Sequence, residues 1–468
     1  MPDDSWRYST ACDRTEQHMA DRYHVAILGM GPGGEAAATR LLKAGKTVAL
    51  VEPELIGGEC GYWACIPSKT LLRPVELALA TAATPGITPG TLDWDSARAW
   101  RDDMVRHFDD TKQAADYEKL GAAVIRGTAR LAGPGLVDVD GRQISADHVI
   151  IATGSTPARP RIDGLDQISV WTNREATNVS HIPASVIIIG SGAVAVEVSQ
   201  YLRGFGAEVT IVGRAPRVLR REEPRVSSLV EGHLRSQGIN LRLGSTPVRA
   251  FNDGTGSALE LDDGTTLSGE VITLATGRQP RTSELGLDAL EVSVGRDGAI
   301  EVDEHCYAGA GVWAIGDVTG AMQFTHVAKY QARIVANAIL GRPRSADYAS
   351  IPRVVFGYPE IAAVGLTEEQ ATAEGRRVRT AEVDLAAALA RPWTFERQPI
   401  GNALGLVADA DRDTLVGAWA VAPQSSEWIH QAALAIGAQI PIARLLDQAA
   451  QFPTYSEGYL SALDGLYD

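Results

Sequence analysis

Two thiols five positions apart, Cys60 and Cys65, stand in the run Gly57-Gly58-Glu59-Cys60-Gly61-Tyr62-Trp63-Ala64-Cys65-Ile66-Pro67-Ser68-Lys69. Their spacing suits one helical turn, on which both side chains can approach. A disulfide needs Cα atoms roughly 4.4–6.8 Å apart, so bridging is within reach. Pro67 favours a helix start nearby, and a helix N-terminus raises the thiolate fraction of a cysteine placed there. A zinc site is excluded by the lack of a second Cys or His pair at ligand spacing, and no metal ligands are assigned. With Cys12 and Cys306 the chain has four cysteines, too few for a secreted disulfide scaffold. A close pair in a reducing cytoplasm reads as redox chemistry.

About thirty residues upstream lies Gly29-x-Gly31-x-x-Gly34, after the apolar run Tyr23 to Leu28 and before an alanine-rich helix over 35–43. The first glycine makes a tight turn, the second admits a pyrophosphate to the backbone, and the third lets helix pack on strand. Glu52 closes the next strand, where a carboxylate can bind ribose hydroxyls. The grammar recurs after 185–189 as Gly190-x-Gly192-x-x-Ala195, with a paired strand over 208–212. Here Gly213 replaces the acid, and Arg214, Arg217, Arg220 and Arg221 follow. Those arginines either form a solvated cluster or pair with a 2′-phosphate. The second reading favours NADPH, with NADH the weaker choice.

These sites need two nucleotide-binding units to hold them. The 468 residues allow two to four domains. Similar strand ends, Val149 to Gly154 and Val271 to Gly277, mark the entry to and exit from the second unit. Beyond Leu340 the texture shifts to strands over 351–356, 377–384, 405–408 and 415–421, then helices over 427–436 and 442–450. The expected fold is α/β: two Rossmann-like nucleotide-binding domains and a C-terminal α+β domain. The boundaries are a loose tail over 1–21, a first unit over 22–152 with 278–345, a second over 153–277, and a third over 346–468. A net charge of −15 opposes nonspecific nucleic-acid binding. No apolar run reaches the roughly 20 residues a membrane helix needs, and the N-terminus lacks a signal-peptide core. Cytoplasmic location follows as the expectation.

Cys-x4-Cys followed by Pro67-Ser68-Lys69, behind such a fingerprint, resembles the pyridine nucleotide–disulfide oxidoreductases, which include glutathione reductase, lipoamide dehydrogenase and mercuric reductase. The likeness extends through Ala275-Thr276-Gly277-Arg278, Ala314-Ile315-Gly316-Asp317 and the run Pro359 to Thr367. It implies FAD on the first unit, contacted by Gly29, Gly31, Gly34, Glu52, Gly58, Lys69, Gly127, Thr153, Gly154 and Asp317. It implies NADPH on the second, contacted by Gly190, Gly192, Ala195, Glu197, Arg214, Arg220 and Gly277. Cys65 would face the flavin in a charge-transfer contact, Cys60 would meet substrate, and Lys69 would pair with Glu197. From the residues alone, Asp317 could equally cap a turn, and Lys69 and Glu197 could be solvated. The implied assembly is a homodimer in which the C-terminal domain covers the partner's cysteines. The implied activity is NAD(P)H-driven reduction of a small disulfide through flavin and the Cys60–Cys65 pair.

The chain departs from that pattern where the family carries a proton-donating His before Pro-Thr. The run here is Gln451-Phe452-Pro453-Thr454-Tyr455-Ser456-Glu457. Glu457 then either keeps a catalytic role or, with Thr454, makes a helix capping box. Tyr455 is a candidate donor, though an ordinary pKa near 10 makes packing its alternative. His326 and His430 are further candidates. Ala193 stands at the family's gating aromatic, and Tyr62 and Trp63 offer a stacking surface for a flat substrate. A missing donor matters less for quinone or metal-ion reduction, or for a dithiol oxidase, which form the alternative reading. The acceptor is a small molecule in each case.

Overall fold

The computed structural model describes residues 21–467 except 89, 255 and 400. Most of the expected tail over 1–21, including Cys12, lies outside the described residues. Asp21 instead opens the first strand, Asp21–Leu28. That strand pairs in parallel with Val48–Glu52 on one side and Arg142–Ile151 on the other. Its unbroken apolar run Val25 to Leu28 is buried because both faces of the sheet are covered. The following helix, Pro32–Lys43, starts earlier than expected, at a proline whose missing N–H would have no helical partner. The sheet runs 307–309, 312–314, 142–151, 21–28, 48–52, 123–126, so its first two strands come from beyond the second unit.

In the second unit Ser185–Ile189 lies between Glu208–Gly213 and Val271–Leu274, all parallel. A three-stranded antiparallel sheet, Pro247–Asn252, Ser257–Leu261 and Thr266–Gly269, is appended to it. The segments that lead into and out of this unit, Ser155–Pro157 and Arg278–Pro280, pair antiparallel. The third unit is an antiparallel sheet in the order 352–355, 360–365, 414–422, 403–409, 378–384. Its helices are shorter than their apolar patterns predict. The expected helix over 427–436 is split into Ser425–Trp428 and His430–Gly437, and that over 442–450 ends at Leu446. Among the described residues no helix is long and apolar enough to cross a membrane.

One buried apolar cluster joins all three units. It takes Leu71, Leu72 and Val75 from the helix Cys65–Ala83, Val186 and Ile188 from the second sheet, and Val355, Ile361 and Trp419 from the third. The helix that begins at Cys65 is thereby anchored in a core shared by the whole chain.

Candidate active site

The two cysteines do not share one helical turn. Cys60 lies in a short helix, Gly58–Tyr62, and Cys65 is the first residue of Cys65–Ala83. Between them Ala64 leaves helical geometry, with φ −135° and ψ −93°. The break puts the Cys65 sulfur at the N-terminus of a 19-residue helix, where the macrodipole favours an anion. Both cysteines are half-buried free thiols. A hydrogen bond from Cys60 lowers the pKa of Cys65 to about 6; burial opposes this, and Thr325 and Lys69 reinforce it. The Thr325 hydroxyl lies 3.4 Å from the Cys65 sulfur. Cys60 moves the opposite way, held as a thiol first by its bond to Cys65 and then by burial.

One turn along the same helix, Lys69 Nζ donates to Glu197 Oε2 at 2.6 Å. Glu197 belongs to the second unit's helix Ala193–Gly204. Its other oxygen accepts from the Phe356 N–H at 3.1 Å, and the Lys69 ammonium sits 4.8 Å from the centre of the Phe356 ring. All three units therefore meet at this ion pair.

The glycine loops differ in what surrounds them. A Cβ at Gly29 would fall 2.4 Å from the Ala152 carbonyl oxygen, and one at Gly34 would fall 2.1 Å from that of Gly29. Both glycines are demanded by close packing. A Cβ at Gly31 or Gly192 would meet nothing within 4 Å, which is the open cradle a pyrophosphate requires. Gly58 crowds onto this cradle, since its Cβ would lie 2.8 Å from the Gly31 Cα. Glu52 is buried, and its two oxygens accept from the Met30 N–H at 2.7 Å and the Glu54 N–H at 2.9 Å. Asp317 accepts from the Ser155 hydroxyl at 2.5 Å. Thr153 donates to the Arg281 carbonyl at 2.8 Å, which ties its hydroxyl into the crossing between units. Gly127, Gly154, Gly190 and Gly277 all take positive φ. A side chain at Gly127 would strike Asp140, and one at Gly190 would strike the Ala275 carbonyl.

In the second unit Ala195 is buried, and Arg214 and Arg220 are exposed. Arg217 donates to the Arg220 carbonyl at 3.1 Å. Among the described residues none of Arg214, Arg217, Arg220 and Arg221 has a carboxylate partner.

Several expectations change. Tyr62 is fully buried and accepts from Gln113 at 3.2 Å, so it offers no stacking face to a substrate. Trp63 is covered by the Arg174 guanidinium, 4.1 Å from its ring centre. The capping box at Thr454 is only half made: Glu457 accepts from the Thr454 N–H at 2.9 Å, but the Thr454 hydroxyl turns back to the Gln451 carbonyl. Tyr455 is buried in the third unit's core, stacked on Trp428 at 5.9 Å, and among the described residues its hydroxyl has no hydrogen-bond partner. Burial first, then Glu396, raises its pKa, so the phenol keeps its proton. His326 stacks on Phe324 and bonds the Pro352 carbonyl at 2.9 Å.

Two further arginines, Arg174 and Arg278, join the site. Arg278 donates to the Ser155 hydroxyl at 2.6 Å and lies 3.8 Å from Asp317. Its place directly after Gly277, at a strand end, was a usable signal. Arg174 carried none, because its partners are more than a hundred residues away.

The family model for pyridine nucleotide-disulphide oxidoreductases matches residues 23–332, and the model for their dimerisation domain matches 351–463. The chain belongs to this family. It is 32% identical to a mercuric reductase of Staphylococcus aureus over 445 residues, covering 93% of this chain and 81% of that protein. It is 33% identical to a dihydrolipoyl dehydrogenase of Thermus scotoductus over 459 residues, 95% of this chain and 97% of the other. Among solved structures, the Cu(II) complex of the HOCl-induced flavoprotein disulfide reductase RclA from Escherichia coli superposes with a TM-score of 0.85 at 27% identity, over 95% of this chain and 99% of that one.

The chain is thus a flavin-dependent oxidoreductase whose family uses FAD and NAD(P)H, and its dimerisation domain supports a homodimer. The residues present fit FAD, because the Gly31 cradle is open where the phosphates must approach, a buried acceptor stands at Glu52 and a half-buried one at Asp317.

Proposed function

We propose that Cys60 and Cys65 are a redox pair through which electrons from NADPH reduce a small disulfide. The observation that carries this reading is the seat of the thiols: Cys65 stands at the N-terminus of Cys65–Ala83, 3.4 Å from the Thr325 hydroxyl and one turn from Lys69, which favours its thiolate, with Cys60 beside it as hydrogen-bond donor. FAD, when bound, supplies the two-electron relay between nicotinamide and sulfur. Cys60 attacks one sulfur of the substrate, and its proton passes to the Cys65 thiolate. The first leaving thiolate takes that proton from Cys65. Cys65 then attacks the Cys60 sulfur, releases the second substrate half as thiolate and closes the Cys60–Cys65 disulfide. Two electrons from NADPH reopen it. Lys69, fixed by Glu197, supplies positive charge beside the thiolate.

In this scheme Cys65 performs the first proton transfer, which lessens the need for an outside base. The four arginines beyond Gly213 would select NADPH by its 2′-phosphate. The homodimer would set each C-terminal domain over the partner's cysteines, in a reducing cytoplasm.

A second reading is favoured by Phe452, which stands where the resemblance calls for His and is 66% exposed. A cation or quinone needs no proton from that position at the thiols. Relatives named as mercuric reductases and a solved neighbour in complex with Cu(II) support a thiophilic metal ion as acceptor.

Turnover of the wild type with Hg(II) or Cu(II) and no disulfide present tests the metal ion as acceptor, and Cys60→Ser separates disulfide from quinone reduction. Disulfide reduction should vanish while quinone reduction persists. Disulfide turnover that survives in Cys60→Ser would overturn the proposal.

A further inference from the structure

The stretch around Cys60 is gripped from the second unit by one short helix, Asn173–Thr177. Arg174 Nε donates to Glu59 Oε1 at 2.6 Å, immediately before Cys60. The same guanidinium sits over the Trp63 ring, midway to Cys65, with its central carbon 4.1 Å from the ring centre. Its two terminal nitrogens hold both oxygens of Glu54 at 2.8 Å. Asn173 adds bonds to Glu59 Oε2 at 3.0 Å and to the Trp63 carbonyl at 2.8 Å, and Thr177 reaches the same carbonyl at 3.1 Å. Arg278 closes the ring, 3.6 Å from Glu59 and 3.8 Å from Asp317. Thr172 caps the helix with a complete capping box, so the clamp is itself held rigid.

This arrangement does more than neutralise a carboxylate. A planar guanidinium that bonds on its edge and stacks on its face fixes the orientation of both partners, which an ammonium cannot do. Glu59 and Trp63 bracket Cys60, and the helical path breaks at Ala64 just before Cys65. The local backbone bonds, Trp63 N–H to the Glu59 carbonyl at 2.8 Å and Ser68 N–H to the Ala64 carbonyl at 3.1 Å, span Cys60 and Cys65 respectively, and the clamp adds contacts from outside the segment. A disulfide closes only within a narrow range of Cα separations. Holding two reacting groups together converts their encounter into an intramolecular one with a high effective concentration.

We propose that Arg174 is a positioning residue for the redox pair, which sets the Cys60–Cys65 separation by clamping Glu59 and Trp63 and so stabilises the disulfide relative to the dithiol. The inference rests on the proposed redox role of the two cysteines. On closure at neutral pH, one S–S bond forms, two electrons leave, and the Cys60 proton is released, Cys65 being already thiolate. Against a glutathione buffer, the oxidant is glutathione disulfide, which becomes two reduced glutathione molecules.

The test equilibrates the full-length holoprotein anaerobically with glutathione buffers of stated ratio, traps free thiols by alkylation and counts them by mass. Arg174→Ala should lower the equilibrium constant for closure about tenfold, equivalent to about 30 mV for a two-electron couple. Arg174→Lys, which keeps the charge and loses the fork, should fall nearly as far. Glu59→Gln should fall by less, because the stack on Trp63 and the bonds to Glu54 remain. Thermal melting is read in parallel to show that each variant is folded. Closure constants of Arg174→Lys and Arg174→Ala within twofold of wild type, with only melting altered, would overturn the inference. If Arg174→Ala does not fold, Arg174→Lys and Glu59→Gln decide by the same criterion. Failure of the wild-type pair to form a disulfide at all would instead sink the proposed function.

Discussion

Lys69 and Glu197 meet at 2.6 Å from helices of different nucleotide-binding units, because those helices touch at Val75 and Gly204. A Cβ at Gly204 would lie 2.5 Å from a Val75 methyl. The absent side chain lets the helices approach, and that approach lets the ion pair form two turns away. Gly204→Ala should therefore destabilise by about 1–3 kcal/mol through overpacking, measured by urea unfolding. Turnover should fall as well, since Lys69 and Glu197 are pushed apart. Val75→Ala in the same chain should restore part of both; an unchanged turnover in Gly204→Ala would refute the link.

The ion pair itself is open to a double-mutant cycle. Lys69→Met leaves a nearly buried Glu197 carboxylate with only the Phe356 N–H. Lys69 is about one-third exposed, so the loss is expected near 1–2 kcal/mol rather than the larger value of a sealed pair. Glu197→Gln combined with Lys69→Met should cost less than the sum of the singles. Additive losses would mean the two groups do not interact.

Ionisation of Cys65 gives a pH signature. With its pKa lowered to about 6, this thiol is mostly thiolate at neutral pH. Cys60→Ala removes the leading cause of that shift, so the titration should move up toward the ordinary value near 8.5. Ultraviolet thiolate absorbance followed against pH checks this. At pH 7 the signal should be large in the reduced wild type and small in the variant.

Two glycines of one motif should respond differently. Gly34→Ala places a methyl carbon 2.1 Å from a carbonyl oxygen and should lower stability with or without cofactor. Gly31→Ala meets no protein atom, so the stability of the cofactor-free chain should fall only by the poorer N-cap of Pro32–Lys43, about 1 kcal/mol or less. Its FAD retention, followed by absorbance after gel filtration, should fall at least about tenfold, as a methyl group enters the phosphate cradle. Equal retention in Gly31→Ala and wild type would mean the phosphates lie elsewhere.

Cofactor choice can be read kinetically. Replacing Arg214 and Arg220 by Ala should raise KM for NADPH about tenfold and leave KM for NADH within about twofold, since each Arg–phosphate bond is charge-assisted. Parallel shifts would refute the 2′-phosphate assignment.

Periodicity and local chemistry settled much of this protein from the sequence. Continuous apolar runs such as Val25 to Leu28 read as buried parallel strands because a strand covered on both faces needs apolar residues throughout. The glycine loops and the Cys-x4-Cys run were legible for a similar reason: each is a short-range geometric demand on neighbouring residues. Even so, local spacing misjudged the cysteines, which lie on two helices separated by the break at Ala64. It also misjudged Tyr62 and Trp63, whose rings are taken by the core and by Arg174.

Only the tertiary structure could decide the rest. The clamp of Arg174 on Glu59, the seat of Phe356 on the Lys69–Glu197 pair, and the notch at Gly204 each join residues far apart in the chain. Side-chain type announces that an arginine seeks carboxylates and that a glycine leaves room. Which carboxylate, and room for what, depends on how the separately folded units come to rest against one another, and no local pattern encodes that choice.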